Sequence, residues 1–390
     1  MGAKRVYLDN NATTRVDDEV VKYMNVFHLR DYAVASSQFS HTPGITAKEA
    51  VDKARSILAE KIHSSPEEII FTSGVTESNN LALKGPALAA SNSNRNKIIV
   101  SSIEEFSVLH TARALKKLGL KIEYVKVDGE GLVDMEHLHS LLDDKTLLVS
   151  IMYANHEVGT IQDIRKISEL VHQCGAYLHT DAAVAFLQVP IDVVEDEIDL
   201  MSLSAHTVHG PKGVGALLVK KGVPVEKIMQ GGFQEFDLRA GTENVPGIAG
   251  LGKAVEIFSD QDLSRVRQLR DYLYQELKSN VGGIQLNGAS NFKKRIANNL
   301  NVSFEQVEGE SVVLHLDMRG IAVITGSACF SRALQASHIL LAMGFSHERA
   351  HGSIRFSLSK YLTREDIDYT VRNVKEVVEK LRELSPLSKN

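Results

Sequence analysis

Cysteine is the scarcest reactive residue in this 390-residue sequence: there are two, Cys174 and Cys329, far apart in the chain. Such usage argues against a disulfide framework and fits a reducing compartment, so each thiol has to be judged alone. Proline is sparse as well, and 8 of it with 27 glycines leaves no room for a low-complexity linker. No apolar run approaches the ~18 residues that crossing a bilayer requires. The first ten residues carry Lys4, Arg5 and Asp9 where a secretory leader would be apolar. A cytoplasmic protein without a membrane partner is expected. Long basic blocks are also missing, and 44 Lys+Arg against 49 Asp+Glu gives a formal charge of -5. Nucleic acid is therefore a poor partner.

What is present is the composition of a folded protein, 43% hydrophobic and 24% charged, with length for two or three folding units at about 150 residues each. From Thr46 to Val219 helical periodicity alternates with short β-rich runs, the pattern of a mainly parallel sheet covered by helices. Helices are expected over Thr46–Lys61, Thr76–Leu88, Phe106–Leu118 and Ile164–Cys174. Strands are expected at 69–71, 98–100, 147–152, 177–179, 200–203 and 216–219. After Phe258 a long amphipathic helix over Leu263–Leu277 opens a weaker mixture that ends in a helix over Arg364–Leu384. The division that follows is a large α/β domain over 16–260 and a smaller α+β domain built from 1–15 and 261–390.

Polar clusters follow several of these strands, where open α/β sheets collect ligands. The first is Thr72-Ser73-Gly74-Val75-Thr76-Glu77-Ser78, at the start of a helix. Free N–H groups and the Thr76 hydroxyl there suit a phosphate, or form an ordinary capped helix start. The second is the strand Tyr177-Leu178-His179-Thr180-Asp181. Its terminal carboxylate either keeps a pyridine nitrogen protonated or caps the residues that follow. The third, Ser202 to Gly213, offers hydroxyls and imidazoles to one spot.

The order of these clusters, with Asn155-His156-Glu157-Val158-Gly159 between the first two, resembles cysteine desulfurases of the NifS/IscS type, which are pyridoxal-phosphate (PLP) enzymes of fold type I. The resemblance runs from Tyr7-Leu8-Asp9-Asn10-Asn11-Ala12-Thr13-Thr14 through Arg239-Ala240-Gly241-Thr242-Glu243-Asn244 and Gly326-Ser327-Ala328-Cys329 to Ser353-Ile354-Arg355-Phe356-Ser357. It implies a PLP-dependent transferase fold and a homodimer. It also makes Thr76, Ser204 and His206 phosphate ligands, with Thr242 reaching the phosphate of the partner's site. Asp181 would pair with the ring nitrogen and Asn155 would lie near the ring hydroxyl. Arg355, with Asn11, would hold the substrate carboxylate, a task that suits a planar guanidinium. Cys329 would take sulfur as a persulfide, while Cys174, on an apolar helix end, reads as core.

Three positions depart from the family pattern. The Schiff-base lysine directly follows the histidine matched by His206, and here Thr207 stands there. The imidazole that stacks on the ring is replaced by Glu105, and the glutamine that bonds the ring hydroxyl by Val184. Lys212, the nearest lysine in sequence, matches a second lysine of the family. The stretch His347-Glu348-Arg349-Ala350-His351 has zinc-protease spacing, but Gly344 and Gly352 leave it little more than one turn, so zinc is not expected.

Two functions follow. In the main one the chain serves sulfur transfer to an iron-sulfur scaffold or another acceptor, with Cys329 as persulfide carrier or as thiolate ligand of a shared Fe–S cluster, and with PLP catalysis impaired. In the alternative it converts L-cysteine to L-alanine with PLP bound non-covalently, His206 or Glu105 serving as a poor base.

Overall fold

The computed structural model of the protein describes residues 4–326 and 336–384. Cys329 lies outside the described residues. The chain opens with a two-residue strand β1 (Val6–Tyr7), then α1 (Asp18–Leu29) and α2 (Thr42–Ile62). Seven strands follow: β2 (Ile69–Thr72), β3 (Lys97–Ser101), β4 (Lys121–Val125), β5 (Thr146–Ser150), β6 (Tyr177–Asp181), β7 (Leu200–Ser204) and β8 (Gly215–Val219). They form one sheet in the order β2-β8-β7-β6-β5-β3-β4. Every pairing from β7 to β4 is parallel, and β8 alone runs against its neighbours β2 and β7. The fold is thus α/β with a mostly parallel central sheet.

Five of these strands are buried along their whole length, which a parallel sheet covered on both faces requires. Alternate side chains sort to opposite faces. Ile70, Ile98, Leu148 and Leu217 pack under α3 (Val75–Ala89) and α4 (Phe106–Lys116). Ile69, Ile99, Val149 and Leu218 face α2, α6 (Ile164–Gln173) and α7 (Val245–Glu256), with the short α5 (Met135–Leu141) at the margin. Cys174 caps α6, half-buried against that second face.

A separate core gathers Val6, Leu8, Leu273, Phe304, Phe356 and Val374. It lies between α8 (Asp260–Asn280), α9 (Gly309–Asp317) and α12 (Arg364–Leu384) and the antiparallel strands β9 (Ile284–Asn287), β10 (Asn299–Phe304) and β12 (Ser353–Ser357). Strand β1 pairs in parallel with β11 (Ile321–Ala322). The stretch with zinc-protease spacing is the five-residue α11 (His347–His351), which follows α10 (His338–Ala342). Among the described residues no helix is long and apolar enough to cross a membrane.

Since β2 and β7 both oppose β8, strands β2, β3, β5, β6 and β7 all point the same way. Their carboxyl ends form one rim, and the polar clusters sit on it.

Candidate active site

Asp181 ends β6 at the middle of that rim and is 4% exposed. Its Oδ2 accepts from Asn79 Nδ2 at 2.7 Å and its Oδ1 from the Ala183 N–H at 2.9 Å. Burial raises its pKa to about 6, against the pull of those two donors, and the nearby Glu105 charge adds to the rise. Asn79 lies in the first turns of α3, where the polar pair Ser78-Asn79 is fully buried. It also donates to Ser107 Oγ at 2.8 Å, and Ser107 in turn bonds the Glu105 carboxylate through both its N–H and its hydroxyl. A continuous chain of side chains thus links Asp181 to Glu105. Glu105 is the N-cap of α4, a second reason for an acid at that position.

Beside them Glu104 is fully buried. One of its oxygens accepts from the Met152 N–H at 2.7 Å and the other has no partner. Its pKa is pushed well up by burial, and Asp181 and Glu105 push it further. Sequence reasoning passed over Asn79, Ser107 and Glu104. The available signal was three polar residues on the apolar faces of two helix starts.

At the end of β7, Ser204 is fully buried and its hydroxyl has no partner; the same holds for His206 Nδ1. Burial lowers the His206 pKa, and Lys212 lowers it further, so the ring is neutral. Lys212 itself is exposed. Thr207 donates its hydroxyl proton to the Ala183 carbonyl at 2.6 Å, with the Ser204 carbonyl at 3.3 Å. Val184 packs half-buried against the sheet core. Thr76 is exposed at the start of α3 and lines one groove with Glu105. That helix opens on Gly74 at φ +150° with no side-chain cap, so the first N–H groups are not taken by an ordinary cap.

The segment carrying Thr242 is fastened to the rim by two ion pairs. Arg55 grips Glu235 with two bonds of 2.8 Å, both residues buried, and Glu235 also accepts from the Phe71 N–H toward the carboxyl end of β2. This holds Glu235, Phe236 and Asp237 at φ 48°, 57° and 65°, a left-handed run that costs about 1–2 kcal/mol per residue in isolation. Arg239 then bonds Glu77 at 2.8 Å. Thr242 is exposed.

Asn155 is buried but fully committed locally. Its oxygen caps the Glu157 and Val158 N–H groups, and its amide hydrogens go to the Ile103 carbonyl and Met152 Sδ. The structure therefore gives Asn155 the job of shaping the turn after β5 and leaves it no donor for a ring hydroxyl.

Arg355, in the middle of β12, is 2% exposed. Its fork is braced by Asp9 at 2.6 Å and by the His156 carbonyl at 3.2 Å, while Nε has no partner. Asn11 donates to the same His156 carbonyl and accepts from Asn298. Arg355 and Asn11 are thus brought together. Between Arg355 and Gly326 lies Glu157, whose Oε1 is 3.5 Å from where a Cβ on Gly326 would stand. Burial raises the Glu157 pKa to about 7 against the pull of Ser337 and Arg355. The folded state then holds a proton that an unfolded glutamate, with a pKa of 4.5, releases. Native stability falls as pH rises from 4.5 to 7 on this account. Glutamine does not ionise, so Glu157→Gln is expected to gain on the wild type across that window by about 3 kcal/mol. Chemical denaturation at the two ends of the window measures it, and a pH-independent difference would refute it.

The chain matches the aminotransferase class-V family over residues 6–370 and belongs to it. It is 45% identical to a cysteine desulfurase IscS of Dictyoglomus turgidum, over 98% of this chain and 97% of that protein. It is 46% identical to a cysteine desulfurase IscS of Methanosarcina thermophila, over 99% and 95%. A solved NifS-like protein superposes with a TM-score of 0.89 at 38% identity, covering 97% of this chain and all of the other. The fold is therefore that of the PLP-dependent fold type I NifS-like proteins, and the family implies PLP dependence.

The residues present fit part of that cofactor. The unpartnered Ser204 hydroxyl and His206 Nδ1 suit its phosphate, and buried Asp181 suits its ring nitrogen. At Thr207, where the resemblance puts the attachment lysine, no amine is present for covalent attachment. Thr207 offers a hydroxyl whose proton is already bound, and a hydroxyl forms no imine.

Proposed function

We propose that this protein carries sulfur for iron-sulfur cluster assembly in the cytoplasm, as a homodimer that delivers to a scaffold or similar acceptor, with Cys329 as the carrier. The carrying step needs no cofactor. The Cys329 thiolate attacks the outer sulfur of a persulfide donor, a new S–S bond forms at Cys329, and the donor leaves as its thiolate. The same thiolate suits an iron atom of a cluster shared with the partner. The observation behind this reading is the hydroxyl of Thr207, turned to the Ala183 carbonyl on the loop where the family keeps its attachment lysine. IscS-like relatives at 45% identity support the sulfur-transfer role.

A second reading is an active cysteine desulfurase with PLP held non-covalently, and the open Ser204 hydroxyl and His206 Nδ1 favour it. When bound, the pyridine ring supplies an electron sink to an amino acid at its rim. Of the chain's own groups, Arg355 with Asn11 would orient the substrate carboxylate, and neutral His206 would hold the phosphate. Asp181 would keep the ring nitrogen protonated and Thr242 would serve the partner's site. What is missing is the lysine base, whose loss costs about 10²–10⁴-fold in rate.

Exposure of the full-length protein to glutathione persulfide, followed by peptide mass analysis, tests the carrier. One added sulfur on the Cys329 peptide is expected. Sulfur on the Cys174 peptide alone, or on neither, would overturn it.

A further inference from the structure

A cavity with about 60 Å³ of free space lies between the sheet's core and the separate core of β9, β10 and β12. Leu187 and Val208 belong to the first core, Val266 and Leu358 to the second, and all four line it. One water needs roughly 10–15 Å³, so the space takes a molecule of several heavy atoms. Ala254, Phe258 and Leu263 extend an apolar wall. Water is poorly served there, since a buried water looks for about 2–4 polar partners. Ser204, His206 and Asp181, the residues suited to a cofactor, are not on this wall.

Most polar groups on the lining are already used. Thr14 donates to the His206 carbonyl and accepts from the His209 N–H, each at 2.8 Å, and Thr207 donates to the Ala183 carbonyl. Lys360 is paired with Asp17 at 2.6 Å and Asp262 with Arg265 at 3.4 Å. Two amide oxygens of the lining residues are buried without a partner, Gln188 Oε1 and Asn298 Oδ1. The direction of Asn298 is fixed by a chain of bonds. The His156 carbonyl can only accept, so Asn11 turns its Nδ2 to it at 2.9 Å and its Oδ1 to Asn298. Asn298 answers with its Nδ2 at 2.9 Å, which leaves its Oδ1 as the free acceptor. The same His156 carbonyl accepts from Arg355 at 3.2 Å, so a short run of hydrogen bonds joins the cavity wall to Arg355.

We propose that this cavity is an effector site for a small uncharged molecule, aliphatic on one side and carrying a hydroxyl or N–H donor on the other, which bonds Asn298 Oδ1 and so steadies the Asn298–Asn11 pair beside Arg355. The aliphatic part is matched to the apolar wall. The donor relieves an acceptor whose burial is otherwise uncompensated. A charged ligand is disfavoured, because the ionic groups of the lining already have partners and a buried ammonium or carboxylate would go unpaired. Leu187 and His209 hold their part of the wall at φ 63° and 64°, backbone strain of the kind that collects at ligand clamps.

Ligand-observed NMR titration of the full-length protein with isobutanol, isobutyl chloride, isobutylammonium and isobutyrate separates shape, hydrogen bonding and charge. Isobutanol is expected to bind about tenfold more tightly than the chloride, the effect of one hydrogen bond to a buried acceptor. It should exceed the two ions by at least about tenfold. Ala254→Leu puts its added atoms into the cavity and should weaken isobutanol by more than about tenfold without lowering the melting temperature. Asn298→Leu should bring alcohol and chloride within about twofold of each other. With isobutanol at about ten times its Kd, hydrogen exchange should slow about tenfold in the peptides spanning Asn11 and Asn298 and stay unchanged in the edge strand β4. Failure of isobutanol to bind, equal binding of the four probes, undiminished binding by Ala254→Leu, or unaltered exchange around Asn11 each overturns the proposal.

Discussion

Cys329→Ser is expected to abolish delivery of sulfur from this protein to an iron-sulfur scaffold, whereas Asp181→Ala leaves delivery within about twofold of wild type. The contrast follows from the separation of two chemistries. A relay through a thiolate depends on the sulfur atom, and serine has no comparable nucleophile or soft ligand to offer. In the proposed pocket Asp181 would act through a ring nitrogen, and its removal touches the relay only through its bonds to Asn79 and the Ala183 N–H. In a desulfurase with PLP the dependence is different, because the ring withdraws electrons only while its nitrogen is protonated. Both substitutions would then end sulfide release from cysteine. Transfer from a supplied persulfide and release from L-cysteine should therefore be measured side by side, with circular dichroism to show that Asp181→Ala folds. Equal loss of transfer in the two variants would reject the relay and make the protein an enzyme.

The sheet was legible where burial on both faces produced unbroken apolar runs, as at 69–71 and 98–100, both within observed strands. Strand β4 was not, because it is an edge strand: Lys121 and Tyr124 are exposed, Ile122 and Glu123 only half-buried, and its pattern has no continuous apolar run. The reversed direction of β8 is likewise invisible in a short apolar strand, since direction is set by which neighbours it meets. At the site, residues at strand ends were found, because strand ends are where ligands are sought. The chain from Asp181 through Asn79 and Ser107 to Glu105 was missed because it joins the starts of two helices distant in sequence, and only the sheet order brings them together. Asn155 was singled out by its motif, and its hydrogen bonds to its own turn were not legible there.

Thr207→Lys combined with Glu105→His and Val184→Gln is expected to give covalent, borohydride-stable attachment of PLP at position 207 and to raise sulfide release from cysteine by about 10³-fold, the scale of a restored general base. The wild type should show no labelled lysine, Lys212 included, because that side chain is exposed on the phosphate side beside His206. Thr207→Lys alone should gain little. With Glu105 in place of the family's imidazole and Val184 in place of its glutamine, the ring lacks the partners that would orient its aldehyde toward the introduced amine. The introduced imidazole supplies a flat partner for the ring, while glutamine at 184 supplies the donor that valine lacks. The α4 start loses its carboxylate cap in the exchange, since Glu105 accepts from Ser107 there, at a cost of about 1 kcal/mol that a stable fold tolerates. Peptide mass analysis after reduction locates the label. If the single variant labels as fully as the triple, the ring contacts assigned to positions 105 and 184 are not needed for attachment. If the triple variant binds PLP without covalent attachment, the lysine position has been assigned to the wrong residue.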